Sequence, residues 1–203
     1  MKKDFLPHPF IWTPVLLVLI VICYFFVDKP LAFALQGVPF EGIYKATDRI
    51  IAPSPNVLLW PIIFYIVFFL FKKRSAGRKI LFIALCVNCS NLLVVILKSV
   101  FGRYRPSLLF QENLYGFHFF STHNPSFPSG HSVTVAAVMF ALACLDPKRL
   151  FLYVAIGFIL AFGRVFVGDH YLSDVLGSFL VAYWVARLIY PTVEEFHEQR
   201  RRA

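Results

Sequence analysis

Charged residues are scarce in this chain of 203 residues: Asp, Glu, Lys and Arg make up only 15% of it, where a soluble domain carries about 25%. Cysteine is also rare, with four residues, which excludes a disulfide-stapled secreted module. The 59% of hydrophobic residues excludes a disordered or collagen-like chain, and the 24 Phe are spread along its whole length. This apolar surface exceeds what one small water-soluble core can bury. The composition therefore indicates that lipid is the solvent of this protein.

Six uncharged runs predict membrane-spanning helices, and no repeat, low-complexity tract or linker divides the chain. Three runs hold 18 to 22 residues, close to the roughly 20 apolar residues that cross a bilayer. Three later runs hold only 12 to 14 and reach that length once bordering charged residues are placed at the membrane surface. The runs are Phe10–Val27, Ile50–Phe71, Ile80–Leu97, Ser132–Leu145, Leu150–Gly163 and Val175–Ala186. We predict an all-α bundle of six transmembrane helices that forms a single domain over residues 1–203.

The positive charges predict how this bundle is oriented. Alternate loops place 13 Lys and Arg on the side of both termini and seven on the other side. Because positive charge marks the cytoplasmic side, we predict cytoplasmic termini, with residues 28–49, 98–131 and 164–171 on the extracytoplasmic face. The net charge of +9 is then mainly a topology signal at the lipid bilayer. No nucleic-acid-binding motif accompanies it, so no nucleic-acid partner is expected.

The first apolar run imitates a secretory signal peptide, because Lys2 and Lys3 precede it and small residues follow it. The run is long for such a signal, however, and Asp28, Lys29 and Pro30 separate it from the small residues. We therefore expect this helix to be retained.

Ionisable residues border the apolar runs in three stretches: Lys98–Pro106, Pro128–His131 and Arg164–Asp174. The predicted topology puts all three at the extracytoplasmic end of the bundle. Ionisable groups beside hydrocarbon are costly, so such residues are candidates for function. The three stretches are therefore expected to form one site.

The cations of these stretches predict a site for an oxyanion. Lys98, Arg105 and Arg164 supply three positive charges, and the planar guanidinium suits phosphate oxygens. Ser129 and Gly130 open a helix, whose first N–H groups and positive dipole end can hold an anion. Gly130 also lets the backbone approach a ligand closely.

Two histidines and a carboxylate predict nucleophilic catalysis at that oxyanion. His170 and Asp174 are four residues apart and share a face if the sixth helix begins there, so the carboxylate can orient the imidazole as a nucleophile. His131 is a second imidazole, suited to donate a proton to a leaving oxygen. His118 and His123 belong to no ligand-spacing motif, so we expect no metal site.

The pattern resembles the three-part signature of the type 2 phosphatidic acid phosphatase family. Its parts are Lys98-x6-Arg105-Pro106, Pro128-Ser129-Gly130-His131 and Arg164-x5-His170-x3-Asp174, which together span residues 98–174. One position departs, because the family usually has Ser where this chain has Gly163, and this leaves the support of Arg164 unexplained. A second, weaker similarity joins the Phe101–Pro106 stretch to bacterial lipid A phosphatases.

The resemblance implies an integral-membrane lipid phosphate phosphatase without metal or cofactor. It implies that His170 forms a phosphohistidine, that His131 protonates the leaving group, and that Lys98, Arg105, Arg164 and the Ser129–Gly130 region bind the phosphate. Expected substrates are undecaprenyl diphosphate, lipid A, phosphatidylglycerol phosphate or phosphatidate, in a bacterial inner membrane. A lipid-to-lipid phosphotransferase and a non-catalytic binder or flippase are the alternatives, and the oligomeric state stays open.

Several other residues have two interpretations. Arg103 contacts either phosphate or the membrane interface, and Asp169 is expected to be a solvated or capping residue. The aromatic residues of 107–127 either pack over the bundle or form an apolar lip that admits lipid chains. All four cysteines lie in apolar runs and are expected to be small buried hydrophobic residues.

Overall fold

The computed structural model describes Leu6, residues 8–37, Ile66, Phe69, residues 75–120 and residues 124–202. The predicted span Ile50–Phe71 lies outside the described residues, apart from Ile66 and Phe69, which are helical. The described ranges are helical except for the connecting loops and one isolated antiparallel bridge between Arg103 and Phe117. The predicted all-α class is confirmed, while the count of six spans stays a prediction.

The described chain forms six labelled helices, joined by loops and one 3-10 turn at Pro147–Arg149. Helix α1 combines an α-helix, a π-helical turn at Cys23–Val27 and a second α-helix that begins at Asp28. The helices are α1 (Pro9–Leu35), α2 (Ser75–Phe101), α3 (Pro106–Glu112), α4 (Gly130–Leu145), α5 (Leu150–Phe166) and α6 (Leu172–Arg202).

Among the described residues, four segments are long and apolar enough to cross a membrane: Pro9–Leu35, Lys79–Phe101, Pro147–Phe166 and Leu172–Pro191. Helix α4 is also apolar but has only 16 residues. The short runs of the sequence belong to longer helices, because the polar residues at their borders continue the helix. Arg164, for example, lies inside α5 rather than in a loop after it.

Helix α4 is the centre of the bundle and packs against α2, α5 and α6. Small residues such as Ala136, Ala137 and Ala141 are fully buried along it, which lets neighbouring helices approach closely. Asn91 of α2 donates to Thr134 Oγ1 of α4 at 3.0 Å, as expected for a hydrogen bond between membrane helices. Large apolar side chains of α1 are exposed among the described residues, as expected for a helix that faces lipid.

Candidate active site

The first turns of α4 and α6 are tied together at one end of the bundle. The Ser129 N–H donates to the Asp174 carbonyl oxygen at 3.4 Å, and Ser178 Oγ donates to the Ser129 carbonyl oxygen at 2.9 Å. The C-terminal turn of α2 carries Lys98 to the same end, where Lys98 and Arg105 act electrostatically on His170. The three stretches that sequence reasoning expected to meet are therefore together.

Helix α4 begins at Gly130, and Ser129 is its N-cap residue. The Ser129 hydroxyl accepts from the Ser132 N–H at 3.4 Å and from Ser132 Oγ at 2.9 Å, so this buried hydroxyl serves the helix itself. A Cβ added at Gly130 would meet no atom within 4 Å, which leaves open space beside the first turn. The expected contact of phosphate with Ser129 and Gly130 stays a prediction, and the space beside Gly130 favours the backbone as the contacting part.

The two outer arginines share a carboxylate. Arg164 Nη2 lies 2.6 Å from Asp169 Oδ2, and Arg105 Nη1 lies 3.9 Å from Asp169 Oδ1. Burial and the neighbouring charge of Arg164 lower the pKa of Arg105, while Asp169 and Asp174 oppose that change. Asp169 therefore orients Arg164 at a position where Gly163 offers no hydroxyl.

Backbone carbonyl groups accept hydrogen bonds from two of the cations, Lys98 and Arg105. Lys98 Nζ donates to the Pro125 carbonyl oxygen at 2.6 Å, and Arg105 Nε donates to that of Asn124 at 3.0 Å. Both acceptors lie in the loop that leads into α4, so this loop fixes the two cations relative to the helix N-terminus. Three positive side chains therefore face one region, as an oxyanion site requires.

His170 lies just before α6, which begins at Leu172 rather than at His170 as the sequence suggested. Its imidazole is only 3% exposed, and its Nδ1 lies 3.5 Å from Asp174 Oδ2. This separation exceeds an ordinary hydrogen bond, although such contacts often tighten when substrate binds. Burial lowers the pKa of His170; Asp174 opposes this, whereas Lys98 and Arg105 add to it. The lowered pKa favours the neutral form of His170, and Nε2 is the nitrogen turned away from the carboxylate.

Asp174 is held by groups that the sequence analysis did not assign to the site. Its Oδ1 accepts from Arg103 Nη1 at 2.5 Å, and its Oδ2 accepts from the Tyr171 N–H at 2.8 Å. Arg103 also donates through Nη2 to Asp28 Oδ2 of α1 at 2.7 Å. Both expectations for Arg103 were wrong, because this guanidinium is fully buried between two carboxylates. Asp28 could have been found, since it is the one acidic residue in the apolar helix Pro9–Leu35.

His131 is the second residue of α4 and is half-buried at the same end of the bundle. Its role as proton donor stays a prediction.

His118 is exposed and stacks on Tyr104, with 6.0 Å between the ring centroids. No group of three or more His, Cys, Asp or Glu that could hold a metal ion occurs among the described residues. His123 lies outside them.

A cavity of about 580 Å³ adjoins the cations through Asp169. Apolar residues from α1, α3 and α5 form much of its wall, and Gln36 and Ser107 add polar groups. The apolar lining residues include Ala32, Leu35, Phe110, Phe166 and Val167. The wall chemistry suits a ligand that carries apolar and polar parts next to an anionic group.

The aromatic residues after α3 fall into two groups. Phe117 and Phe127 pack together at 5.8 Å between ring centroids, and both contact Phe101. Phe119 and Phe120 are 57% and 80% exposed. The packing interpretation therefore fits Phe117 and Phe127, and the apolar lip stays a prediction for Phe119 and Phe120.

The cysteines agree only in part with their expected burial. Cys23, Cys86 and Cys144 are buried, whereas Cys89 is exposed on the surface of α2.

Known proteins resemble this chain over most of the site. The model of the PAP2 superfamily matches residues 79–198. Lipid A 1-phosphatases from Rhizobium johnstonii and Rhizobium etli are each 40% identical over 101 residues, or 49% of this chain and 41% and 44% of their own lengths. Undecaprenyl-diphosphatase BcrC of Bacillus subtilis is 37% identical over 65 residues, 32% of this chain and 34% of its own length. The matched part is thus less than half of each of these curated relatives.

One solved structure shares the fold along nearly the whole chain. It is a transmembrane PAP2-type phosphatidylglycerolphosphate phosphatase from Bacillus subtilis, with a TM-score of 0.58 and 23% identity. The likeness covers 94% of this chain and 96% of that protein.

Proposed function

Because this chain belongs to the PAP2 superfamily, we propose that it is a membrane phosphatase that removes a phosphate group from a lipid. The observation that supports this most is the arrangement around His170. A buried, neutral imidazole has a carboxylate at its Nδ1 side, while Lys98, Arg105 and the start of α4 lie around it. A protein that only grips a headgroup needs the cations but has no use for the imidazole–carboxylate pair, which argues against a binder or flippase.

The proposed reaction has two displacements at phosphorus. In the first, His170 Nε2 forms a bond to phosphorus, the bond to the lipid oxygen breaks, and His131 gives that oxygen its proton. The imidazole then carries a positive charge that Asp174 stabilises. In the second, water attacks phosphorus, His131 takes its proton, and the P–N bond breaks to release phosphate and restore His170.

The surrounding charges lower the barrier of both steps. Lys98, Arg105 and Arg164 neutralise the equatorial oxygens, and the first N–H groups of α4 add their dipoles. Positioning and electrostatics of this kind are the main service that a protein gives phosphoryl transfer. Loss of one well-placed donor costs about 3–4 kcal/mol of barrier. The reaction needs no metal, since the cations fill that role.

The proposed substrate is a phosphorylated lipid in the outer leaflet of a bacterial inner membrane. Two relatives are named lipid A 1-phosphatases, so lipid A 1-phosphate is the first substrate to test. Undecaprenyl diphosphate, phosphatidylglycerol phosphate and phosphatidate complete the panel. The cavity beside Asp169 is the proposed place for the group that bears the phosphate.

Phosphate release from this panel, measured with the purified protein in detergent, tests the proposal. His170→Ala should abolish release, whereas His8→Ala, an exposed histidine before α1, should not change it. EDTA should have no effect, and vanadate should inhibit because it adopts the five-coordinate geometry of the transition state. Activity that survives His170→Ala would overturn the assignment of the nucleophile. Transfer of labelled phosphate to a second lipid, rather than to water, would indicate a phosphotransferase.

The proposed orientation has a separate test. With both termini cytoplasmic, a fluorescent protein fused after Ala203 should fold and fluoresce, and an alkaline phosphatase fused there should stay inactive. The reverse result would place the site on the cytoplasmic face.

A further inference from the structure

Arg103 lies at the centre of a polar network, and its side chain is fully buried among the described residues. The residue is 1% exposed and donates to four oxygens from three parts of the chain. Nη1 bonds to Asp174 Oδ1 and Ser173 Oγ, both at 2.5 Å, while Nη2 bonds to Asp28 Oδ2 at 2.7 Å and Tyr115 Oη at 3.2 Å. The guanidinium therefore connects α1 and the loop after α3 to the first turn of α6.

Aromatic rings enclose the same guanidinium. Its central carbon lies 4.3 Å from the ring centroid of Tyr171 and within 5.5 Å of three more. The other rings are those of Tyr24, Tyr115 and Phe117. The backbone is fixed as well, because the Ser126 N–H donates to the Arg103 carbonyl oxygen at 2.8 Å. The side chain is thus held in one orientation, and lysine could not reproduce the forked contacts.

Asp28 connects the first helix to this network. It follows directly on the π-helical turn Cys23–Val27 and is 1% exposed. Its Oδ1 accepts from the Ser173 N–H at 3.1 Å, and its Oδ2 accepts from the Ser173 hydroxyl as well as from Arg103. Turns of this kind often occur at functional sites, and the bonds to Ser173 place Asp28 at the positive end of α6.

The network fixes the carboxylate that faces His170. Arg103 occupies Oδ1 of Asp174, and the Tyr171 N–H occupies one side of Oδ2, so rotation of the carboxylate would break both bonds. The free side of Oδ2 then points to His170 Nδ1. Asp28 competes with Asp174 for the positive charge of Arg103. With both carboxylates ionised, the two carboxylates and one guanidinium sum to −1, and Asp174 is the member of the network that acts directly on His170, against Lys98 and Arg105.

We propose that Arg103 and Asp28 are positioning residues for the reaction: Arg103 fixes the orientation of Asp174, and Asp28 sets how much of the negative charge of Asp174 reaches His170. This proposal rests on the proposed function, in which His170 attacks phosphorus. It gives the first helix a part in catalysis although that helix contributes none of the residues of the three-part signature.

The test is the titration of His170 in variants that change one charge of the network. Asp28→Asn removes a negative charge and leaves Arg103 to neutralise Asp174, so the pKa of His170 should fall. Arg103→Gln removes the positive charge, so the pKa should rise. Each shift should be about 0.5 to 1 unit, as expected for one charge near a buried group. Glu112→Gln, the same chemical change at an exposed residue of α3, should cause no shift.

The titration is read by NMR of histidine-labelled full-length protein in detergent, with His170 assigned through His170→Ala. Other ionisable groups that act on His170 or on its neighbours stay unchanged in these variants: Lys98, Arg105, Tyr115, Arg164, Asp169 and Tyr171. This measurement needs no turnover, so it can succeed even where the proposed phosphatase activity fails. If both variants leave the pKa in place, or shift it in the same direction, the proposal is overturned.

Kinetics supply a second readout where the protein turns over a lipid phosphate. Arg103→Gln and Arg103→Lys should both lower kcat at least tenfold. They should change KM less than threefold, because Arg103 is buried and does not contact substrate in the proposed reaction. The acid limb of kcat/KM should move to higher pH in Arg103→Gln and to lower pH in Asp28→Asn. A loss of activity that follows only the amount of folded protein would refute a catalytic part for the network. If Arg103→Gln fails to fold, Asp28→Asn still decides, since the amide keeps the shape of the carboxylate and one of its two acceptor oxygens.

Discussion

Replacement of Asp174 by Asn tests the orientation of the proposed nucleophile, His170, more directly than removal of His170 does. The side chain keeps its shape but exchanges one oxygen for an NH2 group. Arg103 is a donor only, so the remaining oxygen should stay on Arg103, where the carboxylate now accepts at 2.5 Å. The new NH2 group then takes the position of Oδ2. There it faces the Tyr171 N–H, which donates to Oδ2 in the unmodified protein, and His170 Nδ1, which lies opposite Oδ2.

This exchange turns His170 into its wrong tautomer. An NH2 group opposite Nδ1 makes that nitrogen an acceptor, so the proton of the neutral imidazole moves to Nε2, the nitrogen that should attack phosphorus. In a serine protease triad the same kind of exchange lowers kcat about 10⁴-fold. We expect a loss of about 10³- to 10⁴-fold here, or about 4–5.5 kcal/mol of barrier. Arg103 keeps Asp28 as a buried partner, so the loss of stability should stay below the about 3–5 kcal/mol that an unpaired buried charge costs.

Single-turnover phosphate release and vanadate binding, measured on the same preparation, separate orientation from binding. Asp174→Asn should slow release by the stated factor and keep vanadate affinity within a few-fold, since Lys98, Arg105 and Arg164 are unchanged. Asp146→Asn, the same exchange at the partly exposed C-cap of α4, should match the unmodified protein. A variant at position 174 that retains a tenth of the rate, or loses vanadate binding in parallel with rate, would refute the reasoning.

Three further outcomes follow from the site. Burial lowers the pKa of His170, and the nucleophile must be neutral to attack. On the acid side, kcat/KM should therefore fall only below about pH 6.5, the ordinary histidine value. A fall of kcat/KM at or above that pH would contradict the assignment of His170. Gly130→Ala meets no protein atom, so its melting temperature in detergent should hardly change, whereas kcat/KM should fall up to about 100-fold if phosphate lies beside that turn. Phe119→Ser combined with Phe120→Ser should lower kcat/KM about tenfold for a lipid substrate, because each exposed ring offers apolar area to a lipid chain. The same double variant should leave kcat/KM for a short water-soluble phosphate ester unchanged. Equal losses on the two substrates would favour simple packing.

The helices and the meeting of the three stretches could be predicted because both follow from local pattern. Long apolar runs require helices in lipid, and alternate loops must lie on one face. The predicted helix boundaries were less accurate, since Arg164 lies inside α5 and His170 lies before the first residue of α6. These ends depend on backbone bonds of the connecting turn, such as that from the His170 N–H to the Arg164 carbonyl oxygen at 3.2 Å, and on contacts across the bundle, such as that from the Ser129 N–H to the Asp174 carbonyl oxygen at 3.4 Å. The length of an uncharged run does not indicate where such contacts form.

The role of Arg103 could not be read from its own surroundings in the sequence. Its partners lie 75 and 71 residues away, at Asp28 and Asp174, and pairings at that distance leave no periodicity. The same physics that identified the site nevertheless applies to Asp28. An acidic residue inside an apolar helix must have a partner, so its presence predicts a cation from another part of the chain. The sequence thus indicates that a partner exists, and only the packed structure shows which residue it is.

The scarcity of charge in this chain finally bears on how phosphate can enter and leave. The described residues at this end of the bundle include four cations, Lys98, Arg103, Arg105 and Arg164, and three carboxylates that pair with the three arginines, so the group carries a charge of +1 without a ligand. Asp28 and Asp174 are fully buried against Arg103, whereas the Asp169 side chain is 41% exposed. Among these three carboxylates, Asp169 is therefore the one with free access to water, and it is the one that would have to leave Arg164 and Arg105 for phosphate to bind there as proposed.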